Sequence, residues 1–302
     1  MDPLVILFGL GVGILVGMTG IGGGSLMTPL LLIVVGTQPV VAVGTDLAYG
    51  AITKTVGGLR HLRSGTVDLG VSKWLAFGSV PASVGGVFVG DAIAASADHA
   101  LLWCVAGALF FVAFVTLTRA LLMTRLVADE RHSVPLTART KGLAVTLGVV
   151  LGFILGITSV GSGALIGLAL ILVFRLVPHR VVGTDVLHAA LMMWAAGIAQ
   201  AALGHVDYGL MGTILIGSLP GVWIGERLVH RVPAAVLRPA LGCVMLGSAL
   251  GVTSKAGADL AAWQVVGPPI AAGLLAYAVH RARGRRRVAA PEPAEREAVA
   301  AA

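Results

Sequence analysis

Two aspartates at matching positions of this sequence are its strongest candidates for chemistry. Asp46 and Asp185 each follow a Gly-Thr dipeptide and lie within long apolar runs. Ionisable groups within a membrane are costly, and they usually mark a substrate pathway or a proton relay. Two equivalent acids would suit proton coupling, but Thr-Asp near a helix start is also ordinary N-terminal capping. The sequence leaves both interpretations open.

A glycine-rich turn precedes each aspartate. The first runs from Gly20 to Ser25 and the second from Ser159 to Gly163. Converging backbone N–H groups and the positive end of a helix that starts at Ser25 or Ser162 favour a bound anion. The alternative is that these glycines only permit tight turning and close packing in lipid. The residues predicted to bind substrate are Gly22, Gly23, Gly24, Ser25, Thr45, Gly161, Ser162, Gly163 and Thr184, and the predicted coupling residues are Asp46 and Asp185.

Two other ionisable side chains share a helical face with these acids. Lys54 follows Asp46 by two turns, about 12 Å along a helix axis at 1.5 Å per residue. It could neutralise an anion, although snorkelling of its ammonium to the headgroups is the favoured interpretation. His188 follows Asp185 by three residues, where a structural hydrogen bond is favoured over a proton relay.

Four further polar residues lie beside predicted helix ends. Thr45 and Thr184 could offer their hydroxyl groups either to the substrate or to the backbone. Asp68 and Asp207 follow loops, and their positions favour helix capping. Because no nucleophile with a base, phosphate-binding loop or metal cluster is apparent, the sequence predicts neither an enzyme nor a cofactor or metal site. The sequence also has no nucleotide-binding domain, so any transport would be secondary.

These residues belong to a unit that occurs twice. The tripeptide Gly-Thr-Asp at 44–46 recurs at 183–185, an offset of 139 residues. At the same offset residues 65–68 match residues 204–207, and no gap is needed between 17 and 91. Chance similarity between apolar helices would not keep loops, prolines and acids in register, so the chain contains an internal duplication.

The composition indicates that both copies lie in a membrane. Of 302 residues, 57% are hydrophobic and 12% are charged, against about 25% charged in soluble domains. Each copy has five apolar elements, and the second element of each is too short to span at about 12 residues. Short, glycine-interrupted elements at matching positions point to a transporter binding site. The predicted segments are a first transmembrane repeat (1–123), a cytoplasmic linker (124–141), a second repeat (142–253), an extra transmembrane helix (254–280) and a basic, disordered cytoplasmic tail (281–302).

Loop charges predict that the two copies are inverted. The loop after the third element contains Arg60, Arg63 and Lys73 in the first copy, whereas its counterpart in the second copy has no lysine or arginine. The other equivalent loops show the same opposite bias, so homologous loops lie on opposite sides. Because basic loops face the cytoplasm, the linker and C-terminus are predicted inside and the N-terminus outside. The predicted fold class is an all-α polytopic membrane protein with two inverted repeats of five apolar elements, short broken helices and one extra C-terminal helix.

The charge and cysteine patterns restrict the partners. Much of the net charge of +7 lies in an arginine cluster after the last apolar run, which is typical of a cytoplasmic membrane anchor rather than of nucleic-acid binding. Cys104 and Cys243 lie inside apolar runs, which argues against a disulfide framework. The predicted partners are a small anionic substrate and the lipid bilayer of the cytoplasmic (inner) membrane, with no nucleic acid. A homo-oligomer is compatible with the sequence.

In this order, the motifs resemble those of the sulfite exporter TauE/SafE family of membrane permeases. The resemblance covers nearly all of residues 4–253. It rests on the motifs GGGS at 22–25, VGTDL at 43–47, HLRSGTVD at 61–68 and GSVP at 78–81, then SVGSGA at 159–164, VGTD at 182–185, GHVD at 204–207 and GSLPG at 217–221.

The resemblance implies secondary transport of sulfite or an organosulfonate across the cytoplasmic membrane, usually as export. Import of thiosulfate or another small organic or inorganic anion is the alternative, and a membrane enzyme or assembly factor fits less well. Gln200 is one departure, since similar sequences often have a histidine there. The eleventh apolar element also exceeds the minimal family unit. The sequence does not determine the substrate, the direction of transport or the coupling ion. It also does not determine whether the short elements span the membrane or re-enter it.

The predicted orientation can be tested by labelling. In a variant without Cys104 and Cys243, a single cysteine within 124–141 should be shielded from a membrane-impermeant thiol reagent in intact cells, because the linker faces the cytoplasm. A cysteine within 203–207 is the control, and it should react from outside. Periplasmic labelling of the linker position would contradict the orientation.

Overall fold

The computed structural model describes residues 3–19, 24–97, 99–122, 131–228 and 234–288, which are almost entirely helical. In these ranges the sole strand-like pairing is an isolated bridge between Arg131 and Leu176. This confirms the predicted all-α class. The helices are α1 Pro3–Thr19, α2 Gly24–Leu30 with a π-helical continuation Leu31–Val35, α3 Pro39–Arg63, α4 Leu69–Ser96, α5 Ala100–Leu122, α6 Ala138–Thr158, α7 Leu165–Leu172, α8 Pro178–Ala202, α9 Tyr208–Leu228, α10 Ala234–Lys255 and α11 Ala262–Val288.

The lengths of these helices fit a membrane protein. Within the described residues, six helices are long and apolar enough to cross a membrane: α4, α5, α6, α8, α9 and α11. Helix α3 has 25 residues, about 37 Å at 1.5 Å per residue. Helix α7 has only 8 residues, about 12 Å, and cannot cross ~30 Å of hydrocarbon.

Helices α6 and α7 form a hairpin that returns to its own side. The Arg131 N–H donates to the Arg175 carbonyl at 2.8 Å, and the Val177 N–H donates to the Arg131 carbonyl at 3.1 Å. The segments that lead into α6 and into α8 therefore lie at the same end of the bundle. Because α7 is too short to cross, the hairpin leaves this end and turns back in the interior. The short element of the second half is thus re-entrant, a point that the sequence left open.

Reciprocal hydrogen bonds relate the two halves. The Thr45 hydroxyl accepts from the Asp207 N–H at 3.0 Å, and the Thr184 hydroxyl accepts from the Asp68 N–H at 2.8 Å. The two bonds exchange under the offset of 139 residues. They place the start of α3 at the end of α8 and the start of α8 at the end of α3, so these equivalent helices run antiparallel. The predicted inverted repeat is confirmed.

The same two loops cap the helices that follow them. Asp68 Oδ1 accepts from the Val71 N–H at 3.0 Å, and Asp207 Oδ1 accepts from the Leu210 N–H at 2.9 Å. Both predicted caps are confirmed. Asp68 Oδ2 also accepts from the Val134 N–H at 3.3 Å, which joins the loop after α3 to the segment that precedes α6.

Glycines at every fourth position bring two pairs of helices into backbone contact. On α1 the glycines are Gly9, Gly13 and Gly17, and a Cβ at any of them would meet a backbone carbonyl oxygen of α9. Such spacing of small residues lets helices pack closely in lipid, where hydrophobic burial does not drive association. The repeat counterparts on α6, which approach α4 in the same way, are Gly148, Gly152 and Gly156.

Basic residues gather at the end of the bundle where α6 and α8 begin. Arg180 Nη1 donates to the Val67 carbonyl at 3.5 Å, and Lys141 lies 5.1 Å over the Trp74 ring. The loop after α3 and the starts of α6 and α8 are therefore neighbours, as the loop charges predicted. Helix α11 continues to Val288, so the prediction of a disordered tail from 281 is wrong over 281–288. Residues 289–302 lie outside the described part.

Gly13→Ala should destabilise the protein, because the new methyl group would overlap the Ser218 carbonyl of α9. Overpacking of this kind costs about 1–3 kcal/mol. Gly11→Ala on the same helix is the matched control, since nothing lies within 4 Å of its Cβ position. Thermal unfolding in detergent should lower the midpoint for the first variant alone. Equal midpoints would contradict the close α1–α9 contact.

Candidate functional site

The two aspartates lie well inside their helices. Helix α3 begins at Pro39 and α8 begins at Pro178, so Asp46 and Asp185 are each about two turns from a helix start. Neither residue caps its own helix, and the capping alternative is therefore wrong. Both side chains are buried, with 0% and 3% exposure.

Asp46 connects the short elements of the two halves. Thr28 Oγ1, on α2, donates to Asp46 Oδ2 at 2.5 Å, and Ser159 Oγ donates to the same oxygen at 2.9 Å. Ser159 begins the glycine-rich turn of the second half. Asp46 Oδ1 has no hydrogen-bond partner among the described residues.

Asp185 lies at the other end of the same turn. The backbone N–H of Gly163 hydrogen-bonds to its carboxyl group. Its Oδ1 atom has no partner in the described part of the chain. The turn from 159 to 163 is therefore held between two carboxyl groups, one from α3 and one from α8.

Lys54 is buried, so the interpretation that it snorkels to the headgroups is wrong. Its side chain is 6% exposed, and its Nζ atom has no hydrogen-bond partner in the ranges that the structure covers. The ammonium is close enough to the carboxyl groups of Asp185 and Asp46 for their opposite charges to attract each other. These two acids attract it inward, whereas sequence spacing reveals only the helical face on which Lys54 lies.

Each half contributes a serine that faces an ionisable side chain of the other half. His188 Nε2 and Ser79 Oγ form a hydrogen bond of 2.8 Å between α8 and α4. At the equivalent positions, Tyr49 on α3 faces Ser218 on α9. The predicted structural hydrogen bond of His188 is confirmed. Its Nδ1 atom has no partner within the described ranges, and Lys54 lies within Coulombic range of its ring.

The glycine-rich turn of the second half has a backbone that requires its glycines. Gly161 has φ of 110° and Gly163 has φ of 94°, and even Ser159 is left-handed at 58°. An L side chain is strained in this region. The turn also buries Ser162, whose hydroxyl group has no partner among the described residues. Strained backbone and an orphaned hydroxyl group are both features that need an explanation in a native structure.

The structure brings part of the predicted substrate site together. Gly22 and Gly23 lie outside the described residues, and Gly24 begins α2. Ser25 is buried, and its hydroxyl group lacks a partner within the described ranges. Thr45 and Thr184 are the last two predicted site residues. Their hydroxyl groups accept hydrogen bonds from backbone N–H groups of the loops, so they bond to the backbone, which was one of the two alternatives for them.

Three residues of the cluster were absent from the predicted site. Thr28 bonds to Asp46, Ser79 bonds to His188, and Tyr49 faces Ser218. The repeat register contained a signal for two of them, because the offset of 139 residues aligns Tyr49 with His188 and Ser79 with Ser218. No comparable signal exists for Thr28.

The cluster combines hydrogen-bond donors with buried ionisable groups. Within the described residues, no three His, Cys, Asp or Glu side chains form a group that could hold a metal ion. The buried polar groups of the cluster are instead hydroxyl groups, one imidazole, one ammonium and two carboxyl groups. Such a set can bind a small anion and can exchange protons with it or beside it.

A bundle of apolar helices with inverted repeats, a re-entrant hairpin and buried ionisable groups defines a polytopic membrane transporter. The family model described as sulfite exporter TauE/SafE matches residues 5–252. The chain belongs to this family, as its motifs predicted. No solved structure matches the chain.

Curated relatives agree with this class. The chain is 40% identical over 253 residues to "Probable membrane transporter protein YjnA" of Bacillus subtilis, a match that covers 83% of this chain and 99% of the relative. It is 29% identical over 238 residues to "Probable membrane transporter protein YdhB" of the same organism, covering 79% and 94%. A "Probable membrane transporter protein" of Xylella fastidiosa is 26% identical over 268 residues, covering 86% and 99%.

Gly163→Ala should disable the site without unfolding the protein. The residue has φ of 94°, where an added Cβ costs at least about 1 kcal/mol and would displace the N–H that bonds to Asp185. Gly167→Ala is the control, because its Cβ would be in ordinary contact at 3.7 Å. Anion exchange in proteoliposomes should fall roughly tenfold or more for Gly163→Ala alone. Equal exchange rates would exclude the turn from the site.

Proposed function

We propose that this transporter is a secondary exporter of a small sulfur-containing anion, such as sulfite or an organosulfonate, across the cytoplasmic membrane. The observation that supports this best is a group of buried side-chain donors that have no hydrogen-bond partner among the described residues, which includes Lys54 Nζ, Ser162 Oγ and Ser25 Oγ. Buried donors are almost always paired. A compact oxyanion has enough acceptor oxygens to satisfy several at once.

The inverted repeat supports transport by alternating access. Asp46 lies two turns from the start of α3 and Asp185 two turns from the start of α8, and these helices are antiparallel. The two acids therefore lie toward opposite ends of the bundle, with the turn from 159 to 163 bonded to both. Rocking of one repeat against the other would expose this region to each side in turn.

The proposed orientation follows from the charges. The end with Arg131, Lys141 and Arg180 would face the cytoplasm, since basic loops remain inside. This puts the N-terminus outside and the C-terminus inside the cytoplasmic membrane. The anion would then enter from the end where the re-entrant α6–α7 hairpin begins.

The main alternative is import of thiosulfate or another small organic or inorganic anion. The same buried donors would bind such an anion, so the site alone favours the chemical class over the direction. Counterflow into proteoliposomes loaded with sulfite, thiosulfate, taurine or acetate discriminates between the candidate substrates. Accumulation of label with sulfite or taurine supports the proposal. Accumulation with thiosulfate or acetate alone would replace it by the alternative, and accumulation with none would exclude an anion carrier of this class.

The role of the two acids can be tested by neutralising them. If Asp46 and Asp185 exchange protons during transport, Asp46→Asn and Asp185→Asn should lose pH-driven flux but keep exchange of labelled for unlabelled anion. The reason is that exchange requires no net proton movement. Asp207→Asn is the control, because asparagine caps a helix about as well as aspartate. Intact pH-driven flux in the double variant would rule out coupling by these acids.

A further inference from the structure

We propose that the Lys54 ammonium is the positive group that binds the transported anion, and that one protein therefore binds one anion at a time. This inference rests on the proposed function. It assigns to Lys54 the role that the sequence offered only as the less favoured alternative, since the side chain was expected at the membrane surface.

The position of the ammonium supports this role. Lys54 lies in the middle of α3, is 6% exposed, and its Nζ atom has no hydrogen-bond partner in the described chain. An ammonium has three N–H donors. A buried cation with three unused donors is costly unless another group accepts them, and a sulfite or sulfonate oxygen is such a group.

The neighbouring charges leave the ammonium available. Asp46 already accepts hydroxyl hydrogen bonds from Thr28 and Ser159. Asp185 is bonded to the Gly163 N–H and lies within Coulombic range of Lys54 without bonding to it. The other ionisable side chains around the cluster are His188 on α8 and Tyr49 on α3, both turned toward serines on α4 and α9. An anion can therefore approach Lys54 without breaking a direct ion pair.

Lys54 has no charged counterpart in the other half of the repeat. Asp46, Tyr49 and Ser79 have polar or charged counterparts in Asp185, His188 and Ser218. Lys54 has Met193, which packs against α3 at Gly50.

A site for an anion on each repeat would need two cations. With one buried cation, the two halves share a single anion site. The inward-open and outward-open conformations would both use this site, as alternating access requires.

The carboxyl groups near Lys54 would repel a bound anion while they are ionised. Protonated Asp185 would not repel the anion, so the affinity for the anion should increase as pH falls. Asp185→Asn should bind the anion more tightly than the native protein at neutral pH and should lose this pH dependence.

The test compares variants at Lys54 by the sulfite-dependent rise of the thermal unfolding midpoint and by exchange of labelled sulfite in proteoliposomes. Lys54→Met, which copies the counterpart residue Met193, should weaken sulfite binding at least tenfold, and Lys54→Arg should restore part of it. Lys73→Met, at an exposed position of α4, is the control and should bind as the native protein does.

The double variant Lys54→Met/Asp185→Asn separates binding from charge compensation. It leaves no unpaired buried charge between these two residues, so it should fold even if Lys54→Met does not. If Lys54 binds the anion, the double variant still binds sulfite at least tenfold more weakly than the native protein. Recovery of native affinity in the double variant, or native affinity in Lys54→Met, overturns the inference while leaving the proposed function intact. Native protein that binds neither sulfite, taurine nor thiosulfate overturns both.

Discussion

Two carboxyl groups and one ammonium are buried in a protein whose surface faces lipid, and charge in such an interior must be compensated locally. Helices α3 and α8 contribute all three groups: Asp46, Lys54 and Asp185. Hydroxyl groups of Thr28 and Ser159 and the N–H of Gly163 surround the acids. The short elements must therefore break in the interior, because only a broken helix brings backbone N–H groups and cap hydroxyls to that depth.

The rest of the bundle keeps lipid away from these charges. Helix pairs α1–α9 and α4–α6 are packed through glycines so closely that backbone touches backbone. Ser79 and Ser218 extend from α4 and α9 to the side chains of His188 and Tyr49, so each pair also contributes to the polar interior. Close packing and polar lining thus come from the same helices, and movement of one repeat would alter both sides of the site together.

Much of this fold could be predicted from the sequence because the repeat preserves loops as well as helices. Asp68 and Asp207 cap helices as predicted, and their N–H groups bond to Thr184 and Thr45 in the inverted arrangement that loop charges indicated. The failures share one physical cause, which is that a helical face does not identify the neighbour it meets. Lys54 was therefore predicted at the membrane surface. Ser79 was missed because its partner His188 lies in the other half of the chain, and Thr28 was missed because nothing in the sequence marks it as a neighbour of Asp46.

The central claim is that an oxyanion binds between Lys54 and the glycine-rich turn at 159–163. Selenite is a heavier analogue of sulfite, and its anomalous scattering in crystals of the protein would locate it directly. The account predicts a single selenium position per chain, within hydrogen-bonding distance of Lys54 Nζ and of the Ser162 hydroxyl group. Selenium bound only at the basic loops, or at two symmetry-related interior positions, would contradict it.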